Sequence, residues 1–207
     1  MLTIQRIPVG PIQTNCYILA NEADALIIDP GAEAGTIEKM IEHLDVTPIA
    51  ILLTHTHYDH IGAVDETRKM YDIPVYVAPE EDAWLGDPSK NLSQMIGMPF
   101  SVEPAEHLFN PDETLEIGDF SFKVLATPGH SPGGVSFVFD EDQFVISGDA
   151  LFAGGIGRSD LPGSNPQQLL NGIREKLFTL PGDYKVYSGH GPETTIQKEI
   201  DTNPFFR

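Results

Sequence analysis

The sequence predicts one α/β domain that spans residues 1–207. Short apolar runs of strand length alternate along the chain with segments of helical periodicity, which is typical of a mixed fold. No linker, low-complexity tract or obvious repeat interrupts this alternation. Four of the predicted strands also end beside a glycine and a histidine or aspartate, and this indicates a polar site along one edge of the sheet structure.

Composition excludes several classes of function. A hydrophobic content of 41% and a charged content of 21% are those of a globular protein. The formal net charge of -19, with thinly scattered Lys and Arg, argues against a nucleic-acid partner. The longest apolar run, residues 49–53, is far shorter than the ~20 residues of a membrane span. The first ten residues show no secretory pattern and Cys16 is the lone cysteine, so we expect a cytoplasmic protein. Cys16 lies in a strand-like run, so we expect its thiol to pack in the core.

The first half of the chain predicts four strands and two helices. The strand candidates are residues 15–20, 25–29, 49–53 and 74–78. Ile37, Met40, Ile41 and Leu44 follow at i, i+3, i+4 and i+7, the spacing of one helix face. A second helical pattern covers residues 61–71, and residues 79–107 read as short helices and loops.

The second half predicts five strands and one helix. The strand candidates are residues 114–117, 120–125, 134–139, 143–147 and 184–187. A helix begins near Ser164-Asn165-Pro166, where a polar cap candidate precedes a proline at the first helical position. Its buried stripe consists of Leu169, Leu170, Ile173 and Leu177.

Polar side chains follow the ends of four of these strands. The strand at residues 49–53 leads into His55 and His57, and the strand at 120–125 leads into His130. The strands at 143–147 and 184–187 end at Asp149 and His190. Because α/β folds place their sites at the carboxyl ends of strands, we expect these side chains to meet.

The segment THTHYDH places three histidines and an aspartate within residues 55–60. His55 and His57 alternate along the chain and therefore project to one side, whereas Asp59 and His60 begin a helix and point elsewhere. One short loop can thus serve two neighbouring ions. Imidazole and carboxylate suit zinc and similar divalent metals, and two ions roughly 3.5–4 Å apart need a bridging carboxylate, for which Asp149 is the best candidate.

Other residues keep two interpretations. Asp59 could be a simple helix cap, and Asp29 is either a turn residue or an acceptor that orients a ligand histidine. We interpret His43 and His107 as ordinary surface residues, with His43 near the end of a helix where a cation is favourable.

Four motifs together resemble the metallo-β-lactamase superfamily. They are THTHYDH, TPGHSPGG around His130, SGDALF around Asp149 and SGHGPET around His190. The resemblance implies a four-layer αββα sandwich with a metal centre at one edge. It implies that His55, His57 and His130 bind a first metal and that Asp59, His60 and His190 bind a second. Asp149 would bridge the two, and Asp59 would also take a catalytic part by orienting the water.

Within the superfamily, the segment GGIGRSD at residues 154–160 is similar to a loop of the glyoxalase II-like (hydroxyacylglutathione hydrolase-like) branch. That resemblance implies a metal-dependent hydrolase that cleaves a small acyl-thiol, such as an S-lactoyl-thiol, with two divalent ions, zinc first and iron or manganese next. Only seventeen residues follow His190, so the C-terminal extension that holds glutathione in the long forms is missing. The alternative for GGIGRSD is a purely structural role, as a glycine-rich surface loop with a buried ion pair.

Two other functions stay open on the sequence. Related members of this branch are persulfide dioxygenases, in which one iron would here be held by His55, His130 and Asp149. A non-catalytic structural metal domain is the other alternative, although structural sites are closed by four protein ligands. A true β-lactamase is a weaker expectation, because no secretory signal is visible.

Overall fold

Two six-stranded β-sheets pack face to face, with helices on both outer faces. The computed structural model describes residues 2–207. Three apolar clusters define the layers: one lies between the first sheet and its helices, one between the two sheets, and one between the second sheet and its helices. The predicted αββα sandwich is therefore confirmed.

The first sheet has the strand order β1 to β6. Its strands are β1 (Thr3–Val9), β2 (Thr14–Ala20), β3 (Asp24–Ile28), β4 (Thr47–Leu52), β5 (Val75–Val77) and β6 (His107–Leu108). The first three are antiparallel, and the last three continue parallel to β3. The helices of this half are α1 (Ala34–Leu44), α2 (Tyr58–Ile61), α3 (Val64–Tyr71) and α4 (Pro79–Leu85).

The second sheet is built from the other half of the chain. Its strands include β7 (Thr114–Ile117), β8 (Phe120–Ala126), β9 (Val135–Phe139) and β10 (Phe144–Gly148). After the small hairpin of β11 (Leu151–Phe152) and β12 (Gly155–Ile156), helix α5 (Pro166–Gly172) continues into a π-helical turn at Ile173–Leu177. The sheet is completed by β13 (Lys185–Ser188) and β14 (Thr194–Thr195), in the order β14-β13-β10-β9-β8-β7, and α6 (Ile196–Thr202) and a 3₁₀ turn (Pro204–Phe206) follow.

The core between the sheets is rich in aromatic rings. Phe122 stacks on Phe139 at 5.1 Å between ring centroids, and Phe139 stacks on Phe144 at 4.7 Å. Cys16 is fully buried, in agreement with the predicted core position. No helix among residues 2–207 is long and apolar enough to cross a membrane.

One local prediction needs adjustment, and two others are confirmed. The single helix predicted for residues 61–71 is two helices, α2 and α3, separated at Gly62 and Ala63. Asn165 caps α5 by accepting a hydrogen bond from the Gln168 amide, as the sequence indicates. His43 and His107 are both exposed, as predicted for surface residues.

Candidate metal centre

Segments that follow β4, β8, β10 and β13 meet at one edge of the sandwich. The side chains of all seven residues predicted for the site lie in one cluster there: His55, His57, Asp59, His60, His130, Asp149 and His190. Six of the seven are buried or nearly so, and His190 is partly exposed. The structure therefore brings together the five residues that follow the ends of strands and the two, Asp59 and His60, that lie on α2.

The first group consists of His55, His57 and His130, each of which offers one ligand atom within 4.8 Å of the others. Nδ1 of His57 lies 3.0 Å from Nε2 of His130. Three converging imidazole nitrogens are a donor set that zinc and similar metals accept. This group could hold one ion.

The second group consists of Asp59, His60 and His190, again within 4.8 Å. Oδ2 of Asp59 lies 3.2 Å from Nε2 of His60 and 3.2 Å from Nε2 of His190. Helix α2 carries the first two residues, so a single turn of helix supplies both of them. This group could hold a second ion.

Asp149 lies between the two groups. Its Oδ1 is 3.4 Å from Nε2 of His60, and its Oδ2 is 3.5 Å from Nε2 of both His130 and His190. The carboxylate therefore contacts ligand atoms of each group, which is the position required of a bridge.

Several of these atoms are buried without a hydrogen bond. Among the described residues, Nε2 of His55, Nε2 of His60 and Oδ1 of Asp149 find no hydrogen-bond partner. Buried polar atoms are ordinarily paired, so a cluster of orphaned nitrogen and oxygen atoms needs a ligand. Divalent metal ions fit this donor set.

Asp29 orients His60 from behind. Oδ2 of Asp29 lies 2.9 Å from Nδ1 of His60, which leaves Nε2 facing the cluster. The backbone amide and the hydroxyl of Thr54 donate to the two oxygens of Asp29 at 2.8 and 2.6 Å. Asp29 also lies near His55 and His60 in a geometry that could hold metal. Since both of its oxygens already accept hydrogen bonds, the orienting role describes it better.

The GGIGRSD segment touches the site through its backbone. Nδ1 of His130 donates to the carbonyl of Arg158 at 2.7 Å, so its Nε2 faces the cluster. Gly157 packs so closely that a Cβ atom there would lie 1.9 Å from the carbonyl oxygen of Asp149. The Arg158 guanidinium pairs with Asp160, but both side chains are exposed. The structural alternative for this segment predicted a buried ion pair, and that prediction is wrong.

With this geometry in place, comparison with known proteins decides the family. The sequence pattern of the metallo-β-lactamase superfamily matches residues 9–190. The chain belongs to the metallo-β-lactamase superfamily.

Two curated relatives in the superfamily match nearly the whole chain. The probable metallo-hydrolase YqgX of Bacillus subtilis is 52% identical over 97% of this chain and 96% of its own length. The hydroxyacylglutathione hydrolase GloC of Haemophilus influenzae is 37% identical over 99% of this chain and 98% of its own.

Three solved structures of the superfamily fold are similar. The BLEG-1 B3 metallo-β-lactamase is 46% identical with a TM-score of 0.95, and 99% of each chain is covered. TTHA1623 in a di-iron-bound form is 37% identical with a TM-score of 0.87, covering 97% of this chain and 99% of that one. ETHE1 from Myxococcus xanthus is 28% identical with a TM-score of 0.81, covering 98% and 83%. The chain is accordingly a metallo-hydrolase of the superfamily with a divalent metal cofactor.

Charge is distributed unevenly over the candidate metal centre in the metal-free protein. Burial lowers the pKa of His55 well below its usual value, and burial together with the neighbouring His130 lowers the pKa of His57 to about 3. Burial would also lower the pKa of His60, but the carboxylates of Asp59, Asp149 and Asp29 raise it well above the ordinary value. The first group thus carries neutral imidazoles at His55 and His57, ready to donate lone pairs.

The carboxylates and His190 form the charged part. Burial would raise the pKa values of Asp59 and Asp149, but the His60 charge and hydrogen bonds with His190 hold both well below the usual range. Burial would lower the pKa of His190, but hydrogen bonds to Asp149 and Asp59 raise it to about 9. The second group is therefore an ion-paired network before metal binds.

Three residues that position the ligands of the candidate metal centre were not predicted from the sequence. The Thr14 hydroxyl donates to Oδ2 of Asp59 at 2.8 Å, and Thr54 holds Asp29 as described. The buried carboxylate of Glu81 accepts hydrogen bonds from Thr56 and Gly133, next to two ligand-bearing segments. None of the three belongs to a metal-ligand pattern. A threonine directly before the HxH motif is the only signal that could have singled out Thr54.

Proposed function

We propose that this metallo-hydrolase cleaves a small-molecule thioester, such as an S-lactoyl-thiol, with water activated between two divalent ions. The observation that carries the proposal is the pair of complete ligand groups joined by Asp149. The likeness to a hydroxyacylglutathione hydrolase over nearly the whole chain supports the choice of a thioester. A cytoplasmic setting, where Cys16 stays reduced, accords with this chemistry, and nucleic acid has no part in it.

The ligand assignment belongs to the proposal. His55, His57 and His130 hold one ion, and Asp59, His60 and His190 hold the other. Asp149 is shared. When bound, the ions, zinc in the first place and iron or manganese as alternatives, supply Lewis acidity and lower the pKa of a shared water to about 7.

The side chains of the protein supply orientation. Asp59 receives the Thr14 hydroxyl on Oδ2 and keeps its carboxylate directed into the cluster, where it can also orient the attacking water. Asp29 and the Arg158 carbonyl fix the rings of His60 and His130. A cavity of ≈ 390 Å³ opens directly over His57, His130 and His190 and admits the acyl carbon.

The leaving group explains why no general acid is needed. A thiolate departs readily at neutral pH, because the pKa of its thiol is only about 8.5. Among the described residues that line this cavity there is no Lys or Cys. A thioester therefore needs less help from an acid than an ester or an amide, for which Tyr58 supplies the phenol in this lining.

Metal analysis with a substrate panel tests the proposal. Protein purified without added metal is assayed for zinc, iron and manganese, and then against S-lactoyl and acetyl thioesters, a matched oxygen ester and a β-lactam. We expect two ions per chain and preferential cleavage of the thioesters. Preferential β-lactam cleavage would instead favour the activity for which the similar BLEG-1 structure is named, and full activity after exhaustive chelation would refute a metal mechanism.

Replacement of one ligand tests the assignment. His57→Ala removes an imidazole whose Nδ1 lies 3.0 Å from Nε2 of His130, so bound metal should fall below two ions per chain and kcat should drop by at least about 100-fold. His43→Ala, on the exposed face of α1, is the matched control and should match the parent in both measurements. Intact metal content with full activity in His57→Ala would remove it from the ligand set.

A mononuclear iron persulfide dioxygenase is the second candidate. The convergence of His55, His130 and Asp149 favours it, since two imidazoles and one carboxylate form the ligand set of such iron sites. The completeness of the second group argues for the hydrolase. One iron per chain together with oxygen consumption on a persulfide would select the dioxygenase.

A further inference from the structure

The walls of the cavity above the candidate ligands are apolar. Beyond the ligands themselves, Tyr58 and Arg158, its lining consists of Ile12, Leu92, Met95, Ile96, Phe152, Ile156 and Leu161. Phe152 lies 6.1 Å from the His190 ring, centroid to centroid, so the apolar wall reaches the ligands.

A second cavity of ≈ 340 Å³ adjoins the first. The two share Ile12, Tyr58, Asp59 and Ile96 as lining residues. The second cavity continues away from the ligands along Val9, Pro11, Ala32, Met98 and Phe100. The two adjoining cavities together are called here the apolar groove, which begins at the ligands and is defined by the lining residues of both cavities.

The rim of the apolar groove exposes large hydrophobic side chains. Ile12, Met95, Ile96 and Met98 are 47%, 61%, 43% and 70% exposed. They make up half of the eight large hydrophobic side chains that are exposed over residues 2–207. Such a concentration beside a site marks a binding surface, and methionines adapt to apolar groups of different shape.

Apart from the metal ligands, the groove has few cationic side chains that could pair with an anion. Among the described residues that line the two cavities, Arg158 is the only Lys or Arg. Its guanidinium already makes two hydrogen bonds of 3.0 Å to Asp160. Glu33 adds a negative charge to the lining, and the net charge of the chain is -19. A carboxylate-bearing thiol carrier such as glutathione would be desolvated here without a free partner.

We propose that the apolar groove binds an uncharged, apolar arm of the thioester substrate. This inference rests on the proposed hydrolase function and specifies its substrate class. Hydrolysis forms a bond between the water oxygen and the acyl carbon, breaks the carbon–sulfur bond, and leaves a carboxylic acid and a thiol. The arm belongs to either the acyl or the thiol side, and it lies in the groove while the carbonyl faces the ligands.

Two substrate series test the inference and separate the two sides. The first lengthens the acyl chain from acetyl to octanoyl on N-acetylcysteamine, and the second lengthens the alkanethiol of acetyl thioesters from ethyl to hexyl. Each methylene buried in the groove should raise kcat/KM about three- to fourfold. A rise in the first series assigns the groove to the acyl side, and a rise in the second assigns it to the carrier.

Failure of this inference can be told apart from failure of the hydrolase function. The inference about the apolar groove alone is overturned if acetyl thioesters are cleaved but kcat/KM does not change with chain length in either series. A preference for S-lactoylglutathione over neutral thioesters overturns it as well. Absence of any thioester cleavage overturns the hydrolase function. In that case calorimetry measures the binding of ketone analogues, in which a CH₂ group separates carbonyl and sulfur, and so tests the groove without catalysis. Kd should fall about threefold per methylene, and a constant Kd overturns the inference.

Variants link the effect to named side chains. Met95→Ser and Ile96→Ser should each reduce the gain per methylene in the responding series and in the ketone binding. Met70→Ser is the matched control, because Met70 is an exposed methionine on α3 and lies outside both cavity linings. An unchanged chain-length response in both groove variants would overturn the assignment of the arm to this surface.

Discussion

Glu81 is a fully buried carboxylate that joins two ligand-bearing segments. Its Oε2 accepts the amide of Thr56 at 3.0 Å and the Thr56 hydroxyl at 2.6 Å, and Thr56 lies between His55 and His57. Its Oε1 accepts the amide of Gly133 at 2.9 Å, three residues after His130. All three groups donate, so the site is built for an acceptor-only carboxylate. Glu81 therefore fixes the spacing between His57 and His130 without reaching the cluster itself.

Glu81→Gln should disturb both stability and the first ligand group. The amide has one acceptor oxygen, so its NH₂ group faces either Gly133 or Thr56 and leaves a buried N–H unpaired. We expect a loss of about 1–3 kcal/mol in the free energy of unfolding, measured in urea on the metal-free protein. Metal titration should show weaker binding of one ion.

The neighbouring Glu80, which is exposed, provides the matched control. Glu80→Gln should unfold at the parent's urea concentration and bind metal as the parent does. Equal effects of the two variants would show that the buried hydrogen bonds of Glu81 do not position the ligands.

The difference between Glu81 and the histidines shows what sequence can reveal about single residues. His55, His57 and His60 stand out because three imidazoles in six positions are too dense for a chance surface loop. His130, Asp149 and His190 are selected by their place after strands. Glu81 acts through contacts with residues 25 and 52 positions away, so nothing in its local pattern distinguishes it from exposed acidic neighbours.

At the scale of elements, helix α2 is placed by two glycines. A Cβ atom at Gly31 would lie 1.6 Å from the carbonyl oxygen of Asp59, and one at Gly62 would lie 2.4 Å from the carbonyl oxygen of Gly31. The loop between β3 and α1 and the two ends of α2 therefore touch backbone to backbone. This contact sets the position of Asp59 and His60, which α2 carries.

Gly31→Ala should displace α2. The added methyl group cannot occupy the position of a carbonyl oxygen, so the turn must move, at a cost of about 1–3 kcal/mol in the free energy of unfolding. Because Asp59 and His60 move with it, we expect the stoichiometry of bound metal to fall by one ion, measured by equilibrium dialysis.

Gly35→Ala is the control, since nothing lies within 4 Å of a Cβ at that helical position. It should leave metal binding unchanged and increase stability by up to about 1 kcal/mol. Parent-like stability and two bound ions in Gly31→Ala would show that the close contact does not hold the ligand segment.

These contacts also explain where the prediction of elements was wrong. Periodicity continues through residues 61–71, but the packing of Gly62 against Gly31 interrupts the helix, and a sequence pattern does not contain that contact. Strand β1 was not predicted because TIQRIPV mixes polar residues with a proline. It is an edge strand that pairs only with β2, a position where proline is tolerated. Strands buried on both faces, such as β2 and β10, were recognisable from their apolar runs.

At the scale of the whole molecule, the candidate ligands come from both sheets. His55, His57, Asp59 and His60 follow β4 of the first sheet, whereas His130, Asp149 and His190 follow strands of the second. Each ligand group contains members from both halves of the chain. Bound metal would therefore cross-link the two sheets, and the electrostatics of the cluster couple that cross-link to pH.

Metal affinity should accordingly rise with pH. In the metal-free protein, hydrogen bonds to Asp149 and Asp59 raise the pKa of His190 to about 9, and the surrounding carboxylates raise the pKa of His60. A protonated imidazole cannot donate to a metal, so below about pH 9 His190 must release its proton when the second ion binds, and a protonated His60 must do the same. Between pH 6.5 and 9 the affinity for that ion should increase by up to about tenfold per pH unit for each proton released, and the contribution of His190 should level off above about pH 9.

Calorimetric titration of zinc in two buffers with different ionisation enthalpies measures the released protons directly. At pH 7 we expect the second equivalent of zinc to release more protons than it does at pH 9.5, where most of the His190 population is already neutral. His55 and His57 are neutral across this whole interval, because burial lowers the pKa of each, so they add no protons to the difference. If proton release for the second equivalent is the same at both pH values, the charged network of Asp59, His60 and His190 is not what the incoming ion displaces.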